Sequence, residues 1–140
     1  MTREEFNTYL ESIGGLVNGW KTQAPPITDS YFMQHDAGWY ELEKHLIEDL
    51  IKLGWNKEVC QIKEKFGGLR FYINEGSDEI HKRIQQAESE SYETCEGCGT
   101  KEEIGKTKGW ITTCCQSCAI KIFENKSEPK DFIMFWTKNT

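Results

Sequence analysis

At 140 residues the chain has the length of one ordinary domain, and its 17 basic against 23 acidic side chains leave a formal charge of −6. That acidic balance counts against a protein that coats duplex DNA, which needs a broad basic face. No segment approaches the roughly 18 apolar residues of a bilayer span, and the opening MTREEF carries no signal-peptide core, so a soluble cytoplasmic protein is expected.

In chain order, TREEFNTYLESIGG predicts a short helix. Thr2 can cap it reciprocally with Glu5, and Gly14 and Gly15 stop it. Residues 20–37, with adjacent prolines, read as a long irregular loop. GWYELEKHLIEDLIKLGW then gives an amphipathic helix, with Trp39, Leu42, Leu46, Ile47, Leu50 and Leu53 at helical spacing and Gly54 as its stop. A β-hairpin is expected over 58–74, and a second long helix follows, capped by Ser77, with Ile80, Ile84 and Ala87 on one face. The boundaries are an α+β domain over 1–94, a cysteine-rich module over 95–125 and an apolar segment over 126–140. The run Phe132, Ile133, Met134, Phe135 and Trp136 is expected to dock on the core or on a second copy of the chain. Trp20, Trp39 and Trp55 read as core residues, with an aromatic wall for a base as the alternative. His45 and His81 read as surface residues of their helices.

Cys95-x2-Cys98, sixteen residues, then Cys115-x2-Cys118 is the spacing of a four-thiolate zinc site. Two intervening residues let a tight turn aim both sulfurs at one point, and the second pair opens a helix whose N-terminal dipole favours thiolates. Cys114 competes with Cys115 for the third position, and Cys115 completes the second CxxC pair. A closed four-cysteine site leaves no position for water or substrate, so the expected Zn2+ is structural.

Residues 57–74 carry four basic and two acidic side chains, a basic island in an acidic surround. Such a distribution suits a compact anion better than a long phosphate backbone. With Gly67-Gly68 as the centre of a primed turn, Lys65 falls opposite Arg70 and Lys63 opposite Tyr72. Ile62, Phe66, Leu69, Phe71 and Ile73 then share one face with Glu64, and Lys63, Lys65, Arg70 and Tyr72 share the other. That polar face is either a solvated edge paired with neighbouring acids or an anion site, in which Arg70 grips a phosphate and Tyr72 offers a stacking ring. Glu64 is either an edge residue paired with a cation or a buried carboxylate with a role. His35 and Asp36, just before Trp39, stand where the loop meets a helix N-terminus, a second place for an anion.

The stretch QIKEKFGGLRFYIN, preceded by GW at a helix start and followed by TCEGCG and GWITTCCQSC, resembles a largely uncharacterised family of small phage and bacterial proteins. The resemblance runs over roughly residues 38–118. It implies a phage or prophage setting, and analogy with other small phage proteins suggests counter-defence in the host cytoplasm by sequestering a nucleotide-like signal. The expected architecture is a small antiparallel sheet around the hairpin, helices packed on it, and a treble-clef-like zinc ribbon. The expected function is non-enzymatic binding of a small anionic ligand. Two alternatives are a nucleic-acid-associated regulator using Lys101, Lys106 and Lys108, and an inhibitor of a host protein.

Overall fold

The computed structural model describes residues 1–107 and 111–123. Helix α1 (Arg3–Ser12) starts with the capping box read from its sequence: the Thr2 hydroxyl accepts from Glu5 N–H, and the Glu5 carboxylate accepts from Thr2 N–H at 2.8 Å. It buries Phe6 and Leu10, and the chain turns away through Gly14 and Gly15, both at positive φ. Strand β1 (Val17–Asn18) leads into the Pro-rich stretch, which is more ordered than its composition suggests. Leu16 bridges Ile27, a 3-10 turn spans Ser30–Phe32, and β2 (Met33–Gln34) follows.

A 3-10 turn at Ala37–Trp39 opens helix α2 (Tyr40–Lys52), the centre of the core. Trp39, Leu46, Ile47 and Leu50 are fully buried on one stripe. Each such side chain contributes about 1.5–3 kcal/mol relative to exposure. Leu53, expected on that stripe, is 39% exposed because the helix has already ended. Strands β3 (Glu58–Val59), β4 (Gln61–Lys65) and β5 (Gly68–Tyr72) come next, then helix α3 (Asp78–Ser91), capped by Ser77 as its sequence indicates. The last described elements are β6 (Ile104–Lys106), β7 (Thr113–Cys115) and α4 (Gln116–Phe123).

The class is α+β with small sheets and, among the described residues, four helices. The hairpin sheet is not purely antiparallel: β2 joins β4 in parallel, Met33 beside Ile62, giving the order β2-β4-β5. Strand β1 pairs in parallel with β3, and β6 pairs antiparallel with β7. Trp39 and Trp55 are core residues, but Trp20 is 71% exposed on the turn after β1, a correction to its reading as core. Lys108 and residues 126–140, with the apolar run expected to dock, lie outside the described residues. Among those described, no helix is long and apolar enough to cross a membrane.

The hairpin register differs from the expected one. Its turn residues are Phe66 and Gly67, both at positive φ, so Gly68 belongs to the strand and Lys63, not Lys65, faces Arg70. Positive φ at a bulky residue costs on the order of 1–3 kcal/mol, and tertiary packing offsets it. The Tyr92 ring lies over Gly68, where any side chain would collide with it. The Leu69 N–H donates to the Ser91 hydroxyl at 2.8 Å. Gly67 is pressed against β7, its carbonyl accepting from Thr113 Oγ1 at 2.6 Å. Both glycines therefore serve close approach, to α3 and to the cysteine module. The division of side chains between the two faces survives the change of register, except that Phe66 sits at the turn, 64% exposed.

Candidate metal centre

Cys95 and Cys98 lie on the turn that follows α3, Cys115 ends β7, and Cys118 stands in the first turns of α4. Their four sulfurs lie within 4.8 Å of one another. Each CxxC pair folds the same way: the Cys98 N–H donates to Cys95 Sγ and the Cys118 N–H to Cys115 Sγ, both at 3.4 Å. Tetrahedral zinc with Zn–S of about 2.3 Å places sulfurs roughly 3.8 Å apart, and Cys98 Sγ and Cys115 Sγ are separated by 3.8 Å. The donor set therefore fits a tetrahedral thiophilic ion. Cys114 is buried outside this cluster, and burial together with the nearby sulfurs pushes its thiol up to about 12, so it stays protonated. Burial alone would raise the Cys95 thiol too, but the backbone amides of Cys115 and Cys98 outweigh it and hold Cys95 below the ordinary range.

Besides the Thr113–Gly67 bond at the hairpin turn, the cysteine module is tied to the core by polar contacts at a seam beside α2. The Gly38 N–H donates to the Glu96 carbonyl at 2.7 Å, the Trp39 indole N–H to the Thr94 carbonyl at 3.0 Å, and the Asp36 N–H to Glu96 Oε2 at 3.0 Å. Trp39 is thus fully buried at the junction, with no ring face left for a ligand. Asp36 is exposed and uses its backbone here rather than its carboxylate. The His35 side chain is buried against Glu43, a fully buried carboxylate on the apolar stripe of α2. The Asp36 carbonyl, 2.7 Å from His35 Nδ1, can only accept, so Nδ1 carries a proton. Nε2 meets Glu43 Oε1, so a protonated His35 makes the pair an imidazolium–carboxylate bridge. Glu43 was not singled out by the sequence reading. Its signal was a carboxylate four residues after Trp39 and three before Leu46, on the stripe meant for the core.

Burial alone would lower the His35 pKa, but the charge and hydrogen bond of Glu43, the Asp36 carbonyl and Glu96 outweigh it and raise it to about 8. A raised folded-state value stabilises the fold fully below the ordinary histidine pKa, and the contribution fades as pH climbs through the folded value. The shift corresponds to about 2 kcal/mol, lost mainly between about pH 6 and 8.5, as pH passes from the ordinary histidine value through the folded one. Chemical denaturation across that window should show the decline, and Glu43→Gln should flatten it. An equal slope in both proteins would refute the bridge.

On the hairpin, Arg70 is engaged within the chain. Its Nη1 meets Glu88 Oε2 at 2.7 Å, and its Nη2 donates to the Tyr92 hydroxyl at 3.2 Å. Lys63 is half-buried, Lys65 exposed, and Tyr72 is 42% exposed, so this polar face is open beside an ion-paired arginine. Glu64 is half-buried, and its Oε2 accepts the Gly67 N–H at 2.7 Å, which makes it the cap of the turn. The structure thus brings Lys63, Lys65, Arg70 and Tyr72 onto one hairpin. His35, Asp36 and Trp39 belong to the seam between α2 and the cysteine module. His45, 60% exposed between Glu41 and Glu48, and His81 lie on the surface as expected. No protein-family model, no curated protein and no solved structure matches the chain.

Proposed function

We propose that this is a non-enzymatic zinc protein, with a structural ion in a treble-clef-like ribbon and a hairpin face that captures a small anionic, nucleotide-like ligand. The observation that carries the metal half is the cluster of Cys95, Cys98, Cys115 and Cys118, all within 4.8 Å. A set of four thiolates around Zn2+ is closed, so the ion holds the module together and activates no water. What supports the ligand half is the concentration of Lys63, Lys65 and Arg70 on one two-stranded surface of an acidic chain, with Tyr72 exposed beside them. Capture of a nucleotide-derived signal, by analogy with other small phage proteins, is the use such a face would serve.

Glu88 competes with any anion for Arg70, since its carboxylate already holds Nη1. Titration with ADP in a calorimeter tests the reading. Lys63→Glu should weaken binding about tenfold, the scale of one charge-assisted contact. Glu88→Gln, which frees the guanidinium, should strengthen it several-fold. Weaker binding in Glu88→Gln would refute the assignment of Arg70. Affinity that falls steeply with salt and favours long oligonucleotides over ADP would transfer the surface to the nucleic-acid alternative.

A further inference from the structure

The cysteine module contributes a cation to the same surface. Lys106, on β6, places its ammonium 4.6 Å from the centroid of the Tyr92 ring. The hydroxyl of that ring accepts from Arg70 Nη2, which also reaches the Lys65 carbonyl at 3.5 Å. Lys63 faces Arg70 across the strand pair. One phenol at the end of α3 is therefore held by a hairpin cation at its hydroxyl and by a module cation over its face. The Thr113–Gly67 hydrogen bond joins β7 to the hairpin turn, so the two halves of this surface are fixed to each other. Glu88 holds one of these cations, Arg70, in an ion pair.

We propose that the anion site is composite: Lys106 completes the hairpin's cation set, and the ligand is a small molecule with two adjacent phosphates that bridges Arg70 and Lys106 past Tyr92. The inference rests on the reading of the hairpin as an anion site and goes beyond it in two respects. It makes the metal-held module part of the binding surface, and it names the ligand class. Two cations approach different parts of one ring, and a diphosphate offers one charged group to each of them. Because β6 and β7 are set by the metal centre, stripping the metal should weaken binding as well.

The test is calorimetric titration of the full chain with inorganic pyrophosphate and, separately, inorganic phosphate. Pyrophosphate should bind more tightly, Lys106→Glu should weaken it at least about tenfold, and Lys101→Glu, an equal charge change on an exposed residue of the same module, should change it less than about twofold. Equal losses in the two variants would mean general attraction and overturn the composite site. Loss in Lys63→Glu but not in Lys106→Glu would overturn the inference while leaving the hairpin reading intact. A preference for single phosphate would overturn the ligand class. Failure of the wild-type protein to bind either pyrophosphate or ADP would remove both readings together. One zinc per chain in each variant, counted by native mass spectrometry, excludes unfolding as the cause. If Lys106→Glu loses its ion, Lys106→Gln supplies the comparison instead.

Discussion

Serine at Cys95 or Cys115 should abolish metal binding and unfold the segment from residue 95 to the end of α4. Among the described residues the module has little apolar core of its own. Its own buried cluster consists of Cys95, Ile104, Cys114, Cys115 and Ala119, and three of those five are cysteines. Structural zinc contributes on the order of 10–16 kcal/mol to isolated finger peptides, far more than so few small side chains supply by burial. Here part of the loss is masked, because the seam through Gly38, Trp39 and Asp36 still tethers the chain at residues 94–96. The expected phenotype is therefore graded: no zinc by native mass spectrometry, rapid amide exchange across 95–123, and protection retained in α1 and α2. Cys114→Ser is the control, since its sulfur lies outside the cluster. It should keep one zinc per chain and lose stability only as a small buried substitution does. Zinc retained in Cys115→Ser but lost in Cys114→Ser would reverse the ligand assignment. A Cys95–Cys98 disulfide in the purified protein would dismiss the metal altogether.

The contrast between the cysteines and the hairpin explains what a sequence of this kind discloses. A CxxC pair is local: two intervening residues fix where its sulfurs can point, whatever the rest of the fold does. The helix caps at Thr2 and Ser77 and the stripe of α2 are legible for the same reason, each resting on residues within a turn or two. The hairpin register is not local. Gly67-Gly68 is a good primed turn by itself, but Tyr92, twenty-four positions later, needs Gly68 flat beneath its ring. Strand β2 was hidden differently: two residues in a Pro-rich loop show no alternation, and only the parallel partner β4 makes them a strand. Arg70 shows the limit for the candidate site. Its charge was visible, but its partners Glu88 and Tyr92 come from a helix whose placement the sequence did not declare.

Alanine at Gly38 should cost more than most single substitutions in the chain, although it adds one methyl group and needs no unusual φ. A Cβ at that position would fall inside the van der Waals shell of the Cys95 and Glu96 carbonyl oxygens. Neither obstacle is a side chain that can swing aside. On one side the backbone belongs to the first CxxC turn of the metal centre. On the other it enters α2, whose Trp39 is fully buried. To make room, the module must move off the helix, breaking Gly38 N–H to Glu96 O and straining Trp39 Nε1 to Thr94 O. Each buried hydrogen bond left unmade costs about 1–3 kcal/mol, so a destabilisation of about 3–5 kcal/mol is expected, at the upper end for point mutants. Denaturant unfolding with metal analysis checks it; a variant within about 1 kcal/mol of wild type would show that the seam is softer than its geometry implies. The consequence reaches the basic face. If the module shifts, Lys106 leaves the Tyr92 ring and Thr113 leaves Gly67, so pyrophosphate affinity should fall in Gly38→Ala even when the zinc stays bound. That coupling separates a module that merely decorates the α+β core from one that completes its binding surface.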